Sequence, residues 1–246
     1  MSGGAIIQWV ALILCVVFAA IRLPDALRGR GRGVFLVLVL FAVAVSLSIA
    51  PIYLFVDQLL GGVNVANLII RLSLYSIVIL LGMRCAAAFR SQRAQKLIAG
   101  PAGIAALALA VVVTVVLFVV SDLPESSTGL RGFTGQDTVV WYQNMGRLYP
   151  AYVAACLLVP TAAEVGNRLS RPVHRLASGL IFAGFFMVLI FAVLSLFPLS
   201  LGRAGVLLSF GSIVLVTTGL TMIWASRRRA AKETPRSFLA RDQRPL

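Results

Sequence analysis

Residues 51–75 read PIYLFVDQLLGGVNVANLIIRLSLY, an apolar stretch that contains one carboxylate, Asp57, and one guanidinium, Arg71. The pair Gly61-Gly62 divides the stretch and predicts a turn between two helices. An isolated charge in lipid costs several kcal/mol, and pairing with an opposite charge reduces that cost. We therefore predict a helical hairpin across which Asp57 and Arg71 form an ion pair.

The rest of the chain is as apolar as this stretch. Of its 246 residues 60% are hydrophobic and 12% are charged, whereas a soluble domain has about 25% charged residues. A hydrocarbon core about 30 Å thick needs about 20 apolar residues per helix. None of the apolar windows alternates with the period of two that membrane strands have. The sequence predicts an all-α polytopic membrane protein whose seven transmembrane helices cover approximately residues 5–22, 34–58, 63–83, 101–121, 140–161, 177–199 and 204–225.

The basic residues lie mainly at alternate ends of these windows. Eighteen of the 22 Lys and Arg residues follow the first, third, fifth and seventh windows, and the other four are Arg71, Arg131, Arg147 and Arg203. Acidic residues divide evenly between the two sides. The positive-inside rule places the basic ends in the cytoplasm. We expect the N-terminus outside and the C-terminus in the cytoplasm.

The same asymmetry bears on partners and domains. A net charge of +14 is compatible with nucleic acid binding, but basic residues that flank membrane helices on one side have anionic inner-leaflet lipid as their partner. Membrane lipids are expected partners and nucleic acid is not. Residues 1–226 are predicted to form the seven-helix transmembrane domain, and residues 227–246 a flexible basic cytoplasmic tail.

Several polar residues lie at the same depth as Asp57 and Arg71. They predict an outer vestibule, a polar site open to the outside that is formed by Asp57, Asn67, Arg71, Gln143 and Arg147. The alternative is a structural ion-pair network with aromatic residues anchored at the interface. Four aromatic residues either form a belt at the membrane interface or line a pocket. They are Trp141, Tyr142, Tyr149 and Tyr152.

One connection on the outer side is long. Residues 121–137 read SDLPESSTGLRGFTGQD, and a loop of this length is often functional. The loop is either a lid over the vestibule or a solvated tether.

Enzyme, metal and cofactor signatures are not found in the sequence. A single histidine, His174, excludes an HExxH zinc site, and no GxSxG motif is present. The seventh window contains no lysine for a retinal Schiff base. Glu164, on the inner side, is predicted to pair with Arg168 one turn later. We expect no catalytic residues, no cofactor and no metal.

The segment APIYLFVDQLLGGVNVANLI, residues 50–69, resembles a signature in a group of actinobacterial seven-helix membrane proteins of unknown function, some of which are labelled as transporters. In that group an aromatic residue precedes an aspartate, a glycine-containing turn follows, and Asn-Leu begins the third helix. The matching residues here are Tyr53, Asp57, Gly62, Asn67 and Leu68. The resemblance implies a multi-pass protein of a bacterial plasma membrane.

These observations favour a non-enzymatic membrane protein that acts as a sensor, accessory subunit or scaffold. It would bind a small ligand or a protein partner through the outer vestibule or its helix surfaces, either alone or as a homo-oligomer. The alternative is a small secondary transporter. The odd helix count and the absence of an internal repeat argue against it. An intramembrane enzyme is the third hypothesis.

Overall fold

The computed structural model describes residues 3–29, 31–197 and 201–239, with side chains described over residues 6–29, 31–197 and 201–226. Within these ranges the chain is helical and contains no strand, which confirms the all-α prediction. A short 3-10 helix lies in the loop of residues 121–137, which is predicted to face outside and is here called the outer loop. The α-helices are α1 (Gly3–Leu27), α2 (Arg32–Ser46), α3 (Ala50–Leu59), α4 (Val65–Ala88), α5 (Gln92–Ala99), α6 (Pro101–Val120), α7 (Asp137–Gly166), α8 (Pro172–Leu194) and α9 (Gly202–Leu239), and the 3-10 helix is Thr128–Phe133.

Six helical segments among the described residues are long and apolar enough to cross a membrane, which indicates a multi-pass membrane protein. These segments are Ile6–Leu27, Val65–Ala88, Gln92–Val120, Asp137–Gly166, Pro172–Leu194 and Gly202–Ser226. A seventh is obtained if α2 and α3 are counted together as one bent span. Residue 199, the predicted end of the sixth window, lies outside the described residues.

The window predicted over residues 34–58 contains Pro51, near which a kink is expected, and the structure shows a sharp bend there, since α2 and α3 meet at an angle of 94°. Pro51 lies in the first turn of α3 and has no N–H to donate, so the helical hydrogen-bond ladder of α2 cannot continue through it. The amide of Gln8 donates to the carbonyl of Ser48 at 3.5 Å and satisfies one group that the bend frees. With 15 residues, α2 is about 22 Å long and is shorter than the hydrocarbon core.

Helices α8 and α9 pack closely through two glycines. A Cβ at Gly184 would lie 2.6 Å from Cγ2 of Val216. A Cβ at Gly219 would lie 2.7 Å from the backbone oxygen of Ala177. Small residues allow two helices in a membrane to approach to this distance. Larger side chains at these two positions would force α8 and α9 apart.

Arg22 joins the first helix to the last. Its side chain is buried, Nη2 donates to the carbonyl of Leu220 at 3.0 Å, and the guanidinium lies 5.0 Å from the ring centroid of Trp224. Arg22 is near the C-terminal end of α1, and its partners are in the C-terminal half of the apolar part of α9. Helices α1 and α9 therefore run in the same direction.

The predicted tail begins inside a helix. The backbone of α9 is helical through Leu239, so residue 227 is not the point at which helical structure ends. Residues 240–246 lie outside the described residues. The flexible basic tail stays a prediction.

Candidate functional site

Asp57, at the end of α3, caps the N-terminus of α4. Its side chain is fully buried. Oδ2 accepts a hydrogen bond from the backbone N–H of Asn64 at 2.9 Å, and Oδ1 accepts one from that of Ala66 at 3.0 Å. N–H groups at a helix start have no partner within their own helix, and the helix dipole favours a negative charge there. The turn that brings α4 back to Asp57 uses Gly61 and Gly62, whose φ angles of +100° and +71° favour glycine.

The outer loop is fixed to this cap. The hydroxyl of Ser126 donates to Oδ2 of Asp57. Oδ1 of Asn64 accepts from the backbone N–H of Ser127 at 2.7 Å, and its Nδ2 donates to the carbonyl of Glu125 at 2.6 Å. Leu130, in the 3-10 helix, is buried. The loop is therefore packed against the ends of α3 and α4, which the solvated-tether alternative did not anticipate.

The predicted ion pair between Asp57 and Arg71 is wrong. No carboxylate oxygen among the described side chains lies within 4.0 Å of an Arg71 nitrogen. The backbone donors of α4 and the hydroxyl of Ser126 satisfy the carboxylate instead. Arg71 lies two turns further along α4, and its guanidinium is 5.3 Å from the ring centroid of Tyr142, a cation–π contact. A helix N-terminus thus replaces the guanidinium as the partner of Asp57.

Arg71 and Arg147 both line a cavity of about 270 Å³ between α2, α4, α7, α8 and α9, here called the arginine cavity. Nη1 of Arg147 donates to Oδ1 of Asn144 at 3.2 Å, and its guanidinium lies 5.0 Å from the ring centroid of Phe191. Gly146 lies directly against Arg71, and a Cβ at that position would collide with its guanidinium. The glycine therefore makes room for Arg71 beside α7.

Neither guanidinium at the arginine cavity has an acidic partner in the described part of the chain. The one contact within 4.0 Å between an acidic and a basic side chain found there joins Glu164 and His174, on another part of the bundle. The two like charges repel each other, and an uncompensated charge away from water is costly. The cationic end of the cavity is thus electrostatically complementary to an anion.

The remaining walls of the arginine cavity are mostly apolar. On α4 the lining extends from Arg71 to Leu81, ten residues, which corresponds to about 15 Å along the helix. On the α9 side, Ser209 and Ser212 line the cavity, and the hydroxyl of Ser212 donates to the carbonyl of Ser209 in the same helix. Apolar side chains from several helices line the rest, including Leu74, Val78, Val153, Phe185, Val188 and Ile213. The cavity therefore has one cationic end and a long apolar part.

The five residues of the predicted outer vestibule do not form one site. Only Arg71 and Arg147 line the arginine cavity. Asp57 caps α4, and Asn67 is buried and accepts from the hydroxyl of Tyr142 at 3.3 Å. Gln143 donates to the carbonyl of Gly129 in the outer loop at 3.0 Å. Asp57, Asn67 and Gln143 therefore hold the helix ends and the outer loop in place. This structural role resembles the alternative to the vestibule, a structural network, but hydrogen bonds replace the ion pair of that alternative.

The aromatic residues of α7 differ in their exposure. Trp141 has 54% of its surface exposed, as an interface anchor would. Tyr142 and Tyr149 are buried in the protein and do not line the arginine cavity.

The predicted pairing of Glu164 with Arg168 is wrong. Oε1 of Glu164 lies 3.4 Å from Nε2 of His174 and accepts from the hydroxyl of Ser170. Helix α7 ends at Gly166, so Arg168 does not continue the helical face that Glu164 occupies.

Sequence reasoning missed Gly146 and the apolar walls on α8 and α9. An apolar side chain that faces a cavity has the same character as one that faces lipid, so the walls have no distinct pattern. Gly146 does carry a signal, since a glycine inside a long helix indicates the close approach of another group. Its position next to Arg147 in a membrane helix could have directed attention to Arg71.

No protein-family model matches the chain, and no curated protein or solved structure matches it either. The resemblance to the actinobacterial group stays a prediction. The fold and the site define the class: an all-α protein with helices suited to crossing a membrane several times and a largely apolar cavity with two arginines at one end.

Proposed function

We propose that this protein is a non-enzymatic membrane protein that binds a small anionic ligand in the arginine cavity and acts as a sensor, accessory subunit or scaffold. The observation that carries the proposal is the pair of guanidinium groups, Arg71 and Arg147, which line one cavity and lack a carboxylate partner within 4.0 Å among the described side chains.

Three physical arguments support an anion as the ligand. Guanidinium groups present several N–H donors in a planar arrangement that suits phosphate and carboxylate oxygens. Coulomb attraction is stronger in the low dielectric of a membrane protein interior than in water. The cavity volume of about 270 Å³ is close to the lower end of the range for small-molecule sites, about 300 Å³. The cavity thus suits a small molecule better than a protein segment.

Removal of the two charges is expected to abolish anion binding. The full chain is purified in an uncharged maltoside detergent and titrated calorimetrically with ethyl phosphate. A hydrogen bond to a charged group contributes about 1.5–3 kcal/mol, so Arg71→Gln and Arg147→Gln should each weaken binding at least tenfold, and the double variant more. Gly146→Ala, which keeps both charges but displaces Arg71, should also weaken binding.

The matched control is Arg203→Gln, because Arg203 is an exposed arginine outside the cavity. It should bind ethyl phosphate as the wild type does. Equal affinity of the wild type and the double variant would refute an anion site at the arginine cavity.

We also propose that the chain crosses a bacterial plasma membrane seven times, with its N-terminus outside and its C-terminus in the cytoplasm. The contact of Arg22 with Leu220 supports an odd number of crossings, since α1 and α9 run in the same direction. A bent α2–α3 pair that counts as one span gives seven. The eighteen basic residues at one set of helix ends support the orientation.

Reporter fusions test this topology. Green fluorescent protein fused after Leu246 should fluoresce, and alkaline phosphatase at the same site should be inactive, because this enzyme requires export. Fusions truncated after Thr134, in the outer loop, should give the opposite pattern. Active phosphatase after Leu246 would mean that the C-terminus lies outside and would contradict the proposed orientation.

A small secondary transporter is the second candidate function. The observation that favours it is the 94° break between α2 and α3, since interrupted helices are common at transporter binding sites. Accumulation of the bound anion by proteoliposomes, above that of vesicles with the double arginine variant, would favour transport over binding alone.

A further inference from the structure

The arginine cavity is longer than a simple anion requires. An inorganic phosphate held by Arg71 and Arg147 would occupy only the cationic end. The lining continues for about 15 Å along α4 to Leu81, and on α9 it reaches Val216. Most of the cavity therefore lies beyond the reach of the two charges.

Water is a poor occupant of that remaining length. A buried water needs two to four polar partners, and cavities lined by aliphatic and aromatic side chains stay dry. The side chains beyond the arginines include Leu74, Val78, Phe185 and Val188, and the hydroxyl of Ser212 already donates within α9. The inner part of the cavity is thus suited to a hydrocarbon group.

The cavity has an elongated shape. Its lining extends for about 15 Å along α4, while its volume is about 270 Å³. An extended hydrocarbon chain that follows α4 fits this shape.

Resting on the proposed function, we infer that the ligand is a single-chain amphiphile with an oxyanion head. Its head binds between Arg71 and Arg147, and its hydrocarbon chain extends along α4 toward Leu81 and Val216. A lipid with one acyl chain and a free alkyl phosphate share this chemistry. Burial of the chain adds affinity in proportion to its length, since each methylene group transferred from water to an apolar site favours binding about fourfold.

A chain-length series tests the inference on the full-length protein in an uncharged detergent. Thermal stabilisation is measured with ethyl, hexyl and decyl phosphate and with decanol. Midpoint concentrations should fall from ethyl to decyl phosphate by at least tenfold in total, since part of the gain is lost to partition into micelles, and decanol should have no effect. Lysophosphatidic acid forms a second arm. Tighter binding of this lipid than of decyl phosphate identifies a membrane lipid as the source, and the reverse identifies a free amphiphile; both support the inference.

A variant that narrows the inner part of the cavity provides the decisive comparison. Ala154 lines the cavity and is buried, so Ala154→Leu should keep ethyl phosphate binding and lose the gain from the longer chain. Val188→Phe is the substitute if Ala154→Leu does not fold. The matched control is Ala108→Leu, at an exposed position of α6, which should behave as the wild type.

The possible failures are distinguishable. Equal binding of ethyl and decyl phosphate, with both dependent on the arginines, would overturn the single-chain ligand and leave the anion site intact. Decyl phosphate binding that is unchanged in the Arg71→Gln, Arg147→Gln double variant would overturn both. A chain-length gain that persists in Ala154→Leu and Val188→Phe would place the chain outside the cavity and overturn the inference.

Discussion

Asp57→Ala is expected to lower the free energy of unfolding by about 3–5 kcal/mol, because hydrogen bonds to charged groups contribute about 1.5–3 kcal/mol each and unsatisfied buried donors are costly. The variant removes the acceptor of the N–H groups of Asn64 and Ala66 and of the hydroxyl of Ser126. It also loosens the outer loop that is attached to this cap. Denaturant titration of the purified protein in mixed micelles measures the change.

Two comparisons make this prediction specific to capping. Ser126→Ala removes only one of the three hydrogen bonds of Asp57, so it should cost less than Asp57→Ala. Combining Asp57→Ala with Arg71→Gln should give losses that add within about 0.5 kcal/mol, because the two side chains are not paired. A coupling energy well above this value would support an ion pair between Asp57 and Arg71 and contradict the capping role.

Gly219→Ala is expected to destabilise the protein by about 1–3 kcal/mol, the usual cost of overpacking. The new Cβ would lie 2.7 Å from the backbone oxygen of Ala177 and 2.6 Å from Cγ1 of Ile181. A backbone atom cannot move aside as a flexible side chain can, so α8 and α9 would have to separate. Thermal unfolding in detergent measures the effect.

The matched control for this substitution is Gly179→Ala in α8. The nearest atom to a Cβ there is Cγ2 of Val165 at 3.9 Å, an ordinary contact distance. Since alanine has a higher helix propensity than glycine, by up to about 1 kcal/mol, the control should be neutral or stabilising. Equal destabilisation by both substitutions would contradict close packing at Gly219.

The helices could be predicted from the sequence because each one satisfies its own backbone hydrogen bonds. A window of about 20 apolar residues is then sufficient to identify a candidate span. The break at Pro51 was foreseeable as a kink, but its angle was not. That angle depends on how α3 packs against α4 and the outer loop, and these contacts join residues far apart in the chain.

The candidate site was only partly predictable. Charges in membrane helices are conspicuous, so Arg71 and Arg147 could be identified from the sequence alone. The partner of Asp57 could not, because the same hairpin allows a carboxylate to turn toward a guanidinium or toward a helix N-terminus. In the structure the carboxylate of Asp57 accepts from the backbone N–H of Asn64 at 2.9 Å, so the helix N-terminus is its partner. Which apolar residues face the cavity depends on the rotation of each helix about its axis.

The two adjacent guanidinium groups have a practical consequence for handling the protein. While the site is empty, the like charges of Arg71 and Arg147 line one cavity without a carboxylate partner within 4.0 Å among the described side chains. Any solute that neutralises them acts as a stabilising additive, worth about 2.7 kcal/mol at one hundred times its dissociation constant. Shelf life after extraction should therefore depend on buffer composition, with phosphate or sulfate preserving the fold longer than chloride at equal ionic strength.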